Sequence, residues 1–219
     1  MNASGIDPNG FIINEVSLAK IASSFKSIVD SVVDSILREF KDDLDGIYLY
    51  GSIVTGKAVA GKSDLDCILI FKSAPDSELR KRVKILDEAL SKKFSSVLRG
   101  IGLEVTNKSD VCSEKERYGG LCFLKHLCVC IYGNDLSAGV PAFKPTEKVA
   151  YGFNGDIGAQ LPRWRDKISA ANPDIELLNI SKSAAKKIVR TGFSLVMPRS
   201  KSWTTDLQTS YETFAKPSG

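Results

Sequence analysis

Apolar residues recur along this chain with two rhythms, and each change of rhythm marks a change of element. Over residues 15–40, Ile21, Phe25, Ile28, Val32 and Ile36 fall three or four positions apart, one stripe of a helix. The same spacing returns over 73–94, where Leu79, Val83, Leu86, Leu90 and Phe94 follow a proline and an acidic first turn. Compact apolar runs separate and follow these helices. "GIYLYG" (46–51), "DLDCILIF" (64–71) and "IGLEVTN" (101–107) predict strands, the first bounded by glycines. Residues 52–63 mix glycine, lysine and small residues, which predicts a short helical turn and then a loop. "LCFLKHLCVCIYG" (121–133) reads as a fourth strand or as a helix passing into one.

From about residue 145 the strand pattern stops. Residues 146–170, 175–197 and 203–215 predict helices, with Pro162, Pro173 and Pro198 as breaks. The expected fold class is α/β (α+β): a mixed-sheet domain followed by an α-helical domain. The expected division is a loose N-terminal arm (1–14), a first domain (15–144) and a helical domain (145–219), with the boundary near Pro141–Pro145.

Composition adds few constraints. The chain has 219 residues, 43 % hydrophobic and 26 % charged, as expected of one large globular domain or two small ones. No run of 18 apolar residues predicts a membrane span, and the N-terminus does not read as a secretory signal. A net charge of +4 suits an anionic ligand such as a nucleotide and is too weak to argue for nucleic acid. Five cysteines without paired CxxC spacing read as reduced, mostly buried thiols of a cytoplasmic protein. The single histidine, His126, sits in an apolar run, where packing is the commoner role.

The chemistry concentrates in "LYGSIVTGKAVAGKSDLDCILIF" (49–71). Alternate strand residues face one side, so Asp64 and Asp66 project together while Leu65 and Cys67 point into the core. Two adjacent carboxylates resist full ionisation unless a cation sits between them. Hard divalent ions such as Mg²⁺ bind through a few carboxylates plus substrate phosphates. Glu104, a lone acid in an apolar strand, joins the pair if strands 64–71 and 101–107 are neighbours. An exposed place on an edge strand is the alternative for it. Three carboxylates can hold two ions, about 3.5–4 Å apart, that activate a hydroxyl and stabilise leaving pyrophosphate. Gly51 lets the backbone approach a ligand, a helix starting after it directs N–H groups at an anion, and Ser52 and Ser63 add hydroxyls.

These residues, with "GLEVT" after them, resemble the nucleotidyltransferase superfamily of DNA polymerase β-like fold, and within it the streptomycin/spectinomycin type of aminoglycoside adenylyltransferases. The resemblance implies a polymerase β-like catalytic domain, Mg²⁺ and an NTP, with AMP from ATP passing to a hydroxyl. It maps metal and catalytic roles onto Asp64, Asp66 and Glu104, and nucleotide binding onto Gly51 and Ser52. "TGFSLVMPRSKSWTTDL" (191–207) resembles the segment whose lysine meets the triphosphate, here Lys201.

In the helical half, Lys182, Lys186 and Arg190 form one stripe that either neutralises triphosphate charge or is a solvated face. Asp156, Asp166, Asp174 and Glu176 are candidate acids for a cationic acceptor. Trp164 and Trp203 are candidates for stacking or for anchoring. A small-molecule acceptor is favoured; a protein side chain, an RNA end, and a non-catalytic nucleotide-binding or partner module stay open.

Overall fold

The computed structural model describes residues 5–170 and 175–216, with the backbone alone for 175 and 176. Contacts divide the chain into two compact units, Asn14–Pro141 and Met1–Ile13 with Ala142–Gly219.

The first unit is built on a four-stranded sheet. Its helices are α1 (Ser23–Phe40), α2 (Ser52–Thr55), α3 (Ser77–Lys93), α4 (Lys108–Val111) and α5 (Cys122–Leu127); its strands are β1 (Leu44–Tyr50), β2 (Asp64–Phe71), β3 (Gly100–Asn107) and β4 (Cys128–Gly133). The first helix starts later than the periodicity predicts. Ser17 caps a single 3₁₀ turn, Leu18–Lys20, and Ala22 is extended before α1 begins. Ile21 still packs against the core, from outside the helix. Helix α3 begins after Asp76, whose carboxylate accepts the Leu79 N–H at 2.8 Å. The 121–133 run is the helix-to-strand passage, so His126 is buried in the last turn of α5 and not in a strand.

The strand order is β3-β2-β1-β4, with β1 antiparallel to β2 and β4, and β2 parallel to β3. The two faces differ sharply. Leu65, Cys67, Leu69 and Phe71 of β2 join Ile47 and Leu49 of β1 and Ile101 and Leu103 of β3 in one large core, closed by α1 and α3. The other face holds a smaller cluster of Tyr48, Ile68, Ile70, Val111, Leu124 and Cys128. Strand β3 is an edge, and α3 covers part of it: Asp87 accepts the Leu103 N–H at 3.0 Å, and Ser91 Oγ accepts that of Ile101 at 2.9 Å.

The second unit contains α6 (Glu147–Asn154), α7 (Ile157–Ala170), α8 (Ile175–Ser200) and α9 (Leu207–Ala215). Helices α6, α7 and α9 each pack on α8. Phe193 and Met197 of α8 are buried, and the Phe214 ring lies against Gly192. Pro162 and Pro198 do not break helices: each lies inside one. Pro162 falls in the second turn of α7, where an open Gly158 stands at the position whose carbonyl the ring crowds. Pro173 lies outside the described residues. Residues 5–13 belong to this unit through an Ile6–Ile12 bridge and an Ile12 N–H donated to the Phe143 carbonyl at 2.8 Å. Among the described residues, no helix is long and apolar enough to cross a membrane.

Candidate active site

Strand register places the acids. In β2–β3, Asp64 pairs with Gly100, Asp66 with Gly102 and Ile68 with Glu104. Asp64, Asp66 and Glu104 therefore share the face opposite α1 and α3. Tyr50 pairs with Asp66 across β1–β2 and joins them on that face. The parallel register also sets two glycines in front of the acids. A Cβ at Gly102 would stand 3.3 Å from one Asp66 oxygen, and one at Gly100 would stand 3.6 Å from Asp64.

Gly51 closes the third side. It has φ 81°, in the region that favours glycine, and a Cβ there would meet Asp66 Oδ2 at 2.7 Å. The conformation favours glycine, and any side chain here would displace the Asp66 carboxylate. The chain then turns directly into α2, of which Ser52 is the first residue.

The electrostatics follow from this crowding. Burial, and then the negative charges of Asp64 and Glu104, push the Asp66 carboxyl up to about 6, against the pull of Arg99. Asp64 is gripped by Arg99, which donates Nε to Oδ1 at 3.0 Å and Nη2 to Oδ2. Burial, and then Glu104 and Asp66, push the Tyr50 phenol well above its usual range, so it stays protonated and donates to Glu104 Oε1 at 3.0 Å. The Tyr50 ring is itself held edge-on by Phe123, with centroids 5.2 Å apart.

Glu104 is exposed on an edge strand, so the cost of burying a lone acid is not what places it here. Register places it. Among the described residues, no three His, Cys, Asp or Glu side chains gather closely enough to hold a metal ion. Two of the three acids are engaged by protein partners, Asp64 by Arg99 and Glu104 by Tyr50. Neither partner stands out in the sequence. Tyr50 looks like one more apolar strand residue, and Arg99 lies in a loop with no motif around it.

The remaining candidates are dispersed. Ser63 Oγ accepts the Val59 N–H at 2.9 Å and so closes the loop before β2. Lys182, Lys186 and Arg190 are exposed along α8, in the other unit. Lys201 is also exposed; among the described residues it is the one non-glycine at positive φ (45°). Its backbone turns α8 off: the Ser202 N–H reaches back to the Met197 carbonyl at 3.4 Å, a stop at which glycine is the usual residue. Lys187, which the sequence does not single out, donates to Asp156 at 2.6 Å and to the Phe153 carbonyl at 2.9 Å. Although burial opposes it, the bond and charge of Lys187 and a bond from Gln160 hold the Asp156 carboxyl below its usual range. Of the candidate acceptor acids, Asp156 is thus already paired, Asp166 is exposed, Asp174 lies outside the described residues, and the side chain of Glu176 is not described. Trp203 packs edge-on against Phe153 at 5.1 Å, an anchoring contact. All five cysteines are free thiols; Cys67, Cys122 and Cys128 are buried and Cys112 is exposed.

Residues 29–98 match the family model described as a nucleotidyltransferase domain. The match takes in Gly51, Asp64 and Asp66 and ends before Glu104. No curated protein matches the chain. Among solved structures, the spectinomycin adenyltransferase AAD(9) from Enterococcus faecialis, determined with ATP and spectinomycin, aligns with a TM-score of 0.53 at 13 % identity, over 88 % of this chain and 91 % of that one. At this identity the likeness is one of fold. It agrees with the expected plan of a polymerase β-like, mixed-sheet domain followed by helices.

Proposed function

We propose that this chain, which carries a nucleotidyltransferase domain, is a Mg²⁺-dependent enzyme that transfers AMP from ATP to a hydroxyl of a small, aminoglycoside-like molecule and releases pyrophosphate. The observation that carries the reading is the single sheet face on which register aligns Asp64, Asp66 and Glu104 behind the Gly51 turn. The ATP and spectinomycin in the AAD(9) structure support the choice of donor and of acceptor class.

The residues fit the ion. They are hard oxygen donors, and Mg²⁺ is usually held by one or two carboxylates together with substrate phosphates and water. Asp66, crowded by burial and like charge, is the group that a divalent cation would relieve most. When bound, the ion supplies charge neutralisation at the triphosphate and lowers the pKa of an attacking hydroxyl.

The chain supplies the rest. Asp64 and Asp66 offer the ligand oxygens, and Glu104, on the same sheet face, is left for the proton. The Gly51 N–H and the Ser52 hydroxyl take the β- and γ-phosphates, and Ser63 stands next to Asp64 as a further hydroxyl. Glu104, held by Tyr50, accepts the proton of the acceptor hydroxyl as that oxygen attacks the α-phosphorus in line and pyrophosphate leaves. Positioning and charge carry most of the acceleration in such transfers. Lys182, Lys186 and Lys201 are the candidate cations for the triphosphate from the helical unit.

The test is label transfer. The full chain, Mg²⁺ and each radiolabelled NTP are incubated with aminoglycosides, spectinomycin, total tRNA or cell protein. The expected result is label from ATP in the small-molecule fraction, with pyrophosphate released, and none with Asp66→Ala. Label in tRNA or protein would change the acceptor. Tight nucleotide binding without transfer from any NTP would make the chain a binding module.

A further inference from the structure

We propose that Arg99 exchanges partners at this site: its guanidinium competes with a divalent cation for the two oxygens of Asp64, and it binds phosphate oxygens of the nucleotide when the cation takes them. The inference rests on the reading of Asp64 as an ion ligand.

Three observations carry it. The first is the grip itself. Nε and Nη2 of Arg99 each donate to a different oxygen of Asp64, the paired geometry in which a guanidinium meets a carboxylate. Those oxygens are the ones a divalent ion would need, so the two cations compete for one ligand. The second is exposure. The Arg99 side chain is 65 % exposed and that of Asp64 27 %. An ion pair so open to water stabilises a fold little, and its arginine is released at little cost. The third is anchorage. The Arg99 N–H donates to the Ser63 carbonyl at 3.0 Å, which ties its backbone to the residue before Asp64. Gly100, next in the chain, pairs with Asp64 and puts no side chain between them. A released guanidinium therefore stays beside the carboxylates, where its planar fork matches phosphate as well as it matched Asp64.

A merely structural ion pair behaves differently. It would fasten the loop before β3, and its loss would lower stability without altering cation affinity. The exchange reading instead predicts affinity changes of opposite sign.

Calorimetric titration of the full-length chain and of Arg99→Ala and Arg99→Lys tests this, with thermal melts to establish folding. With Mn²⁺ alone, Arg99→Ala should bind about threefold to fivefold more tightly than the parent, the worth of an exposed pair. With a non-hydrolysable ATP analogue at saturating Mg²⁺, it should bind about tenfold more weakly, the loss of charge-assisted hydrogen bonds. Arg99→Lys should fall between in both. Unchanged Mn²⁺ affinity, or both affinities moving the same way, overturns the exchange. Asp64→Asn separates the two levels. If it abolishes Mn²⁺ binding while Arg99→Ala changes nothing, only the role of Arg99 falls. If Mn²⁺ binds as well without the Asp64 carboxylate, the reading of the site itself fails.

Discussion

Leu65 and Asp66 are neighbours in one strand and belong to opposite regimes. Leu65 faces the large core under α1 and α3 and is fully buried. Asp66 faces the other side, where Tyr50, Asp64 and Glu104 surround it and glycines at 51 and 102 leave it room. One face of the sheet is packed by apolar side chains under α1 and α3. The other tolerates repulsion between carboxylates, which costs stability, and is therefore the face on which function should be sought. Mutations on the two faces should accordingly fail in different ways.

The largest effect is expected from the acid face. Asp66→Ala should reduce nucleotidyl transfer by about a thousandfold or more, since an ion ligand is lost, without loss of folding cooperativity. Retained turnover would remove the functional meaning of that face. The apolar face should give the converse. Leu69→Ala, at a fully buried position, should lower the unfolding free energy by about 2–5 kcal/mol in chemical denaturation. Its transfer rate per folded molecule should stay near that of the parent; a specific loss of kcat would show that the faces are not separable.

A smaller effect tests the ordering of the acid face. Tyr50→Phe removes the donor to Glu104 and leaves the ring against Phe123. The expected result is a kcat about tenfold lower with the nucleotide KM unchanged. A change in KM alone would place Tyr50 in nucleotide binding.

The smallest effect concerns pH. The Asp66 carboxyl is raised to about 6 in the folded chain, against about 3.9 for an unperturbed aspartate. Between these values the folded state holds a proton that the unfolded state has released. Its contribution to stability is thus present in full below about pH 4 and is lost as pH rises through about 6. Asp66→Asn should therefore melt several degrees above the parent at pH 8 in metal-free buffer and close to it at pH 4. An equal shift at both values would mean that the charge of Asp66 is not what strains the face.

Legibility divided along similar lines. The strands at 64–71 and 101–107 and the turn after Gly51 were readable because periodicity and glycine report on local backbone geometry. The late start of α1 was not, since Ile21 satisfies the apolar stripe whether it lies in the helix or just before it. Pro162 and Pro198 mislead because a proline marks a lost hydrogen bond, not a stop, when surrounding helices hold the segment. The sequence leaves two places open for Glu104, beside the aspartates or exposed on an edge strand, and the structure joins the two. It is not buried, and what brings it to the site is the parallel register of its strand with β2.

The sequence by itself determined which residues carry chemistry: the alternation in "DLDCILIF" commits Asp64 and Asp66 to one side of a strand, whatever that strand pairs with. Only the tertiary structure decided who meets them. Arg99 lies 35 positions from Asp64 and Tyr50 lies 54 from Glu104. No local pattern encodes such pairings, because they are set by strand order and register, and these are settled by burying the opposite face of the sheet under α1 and α3.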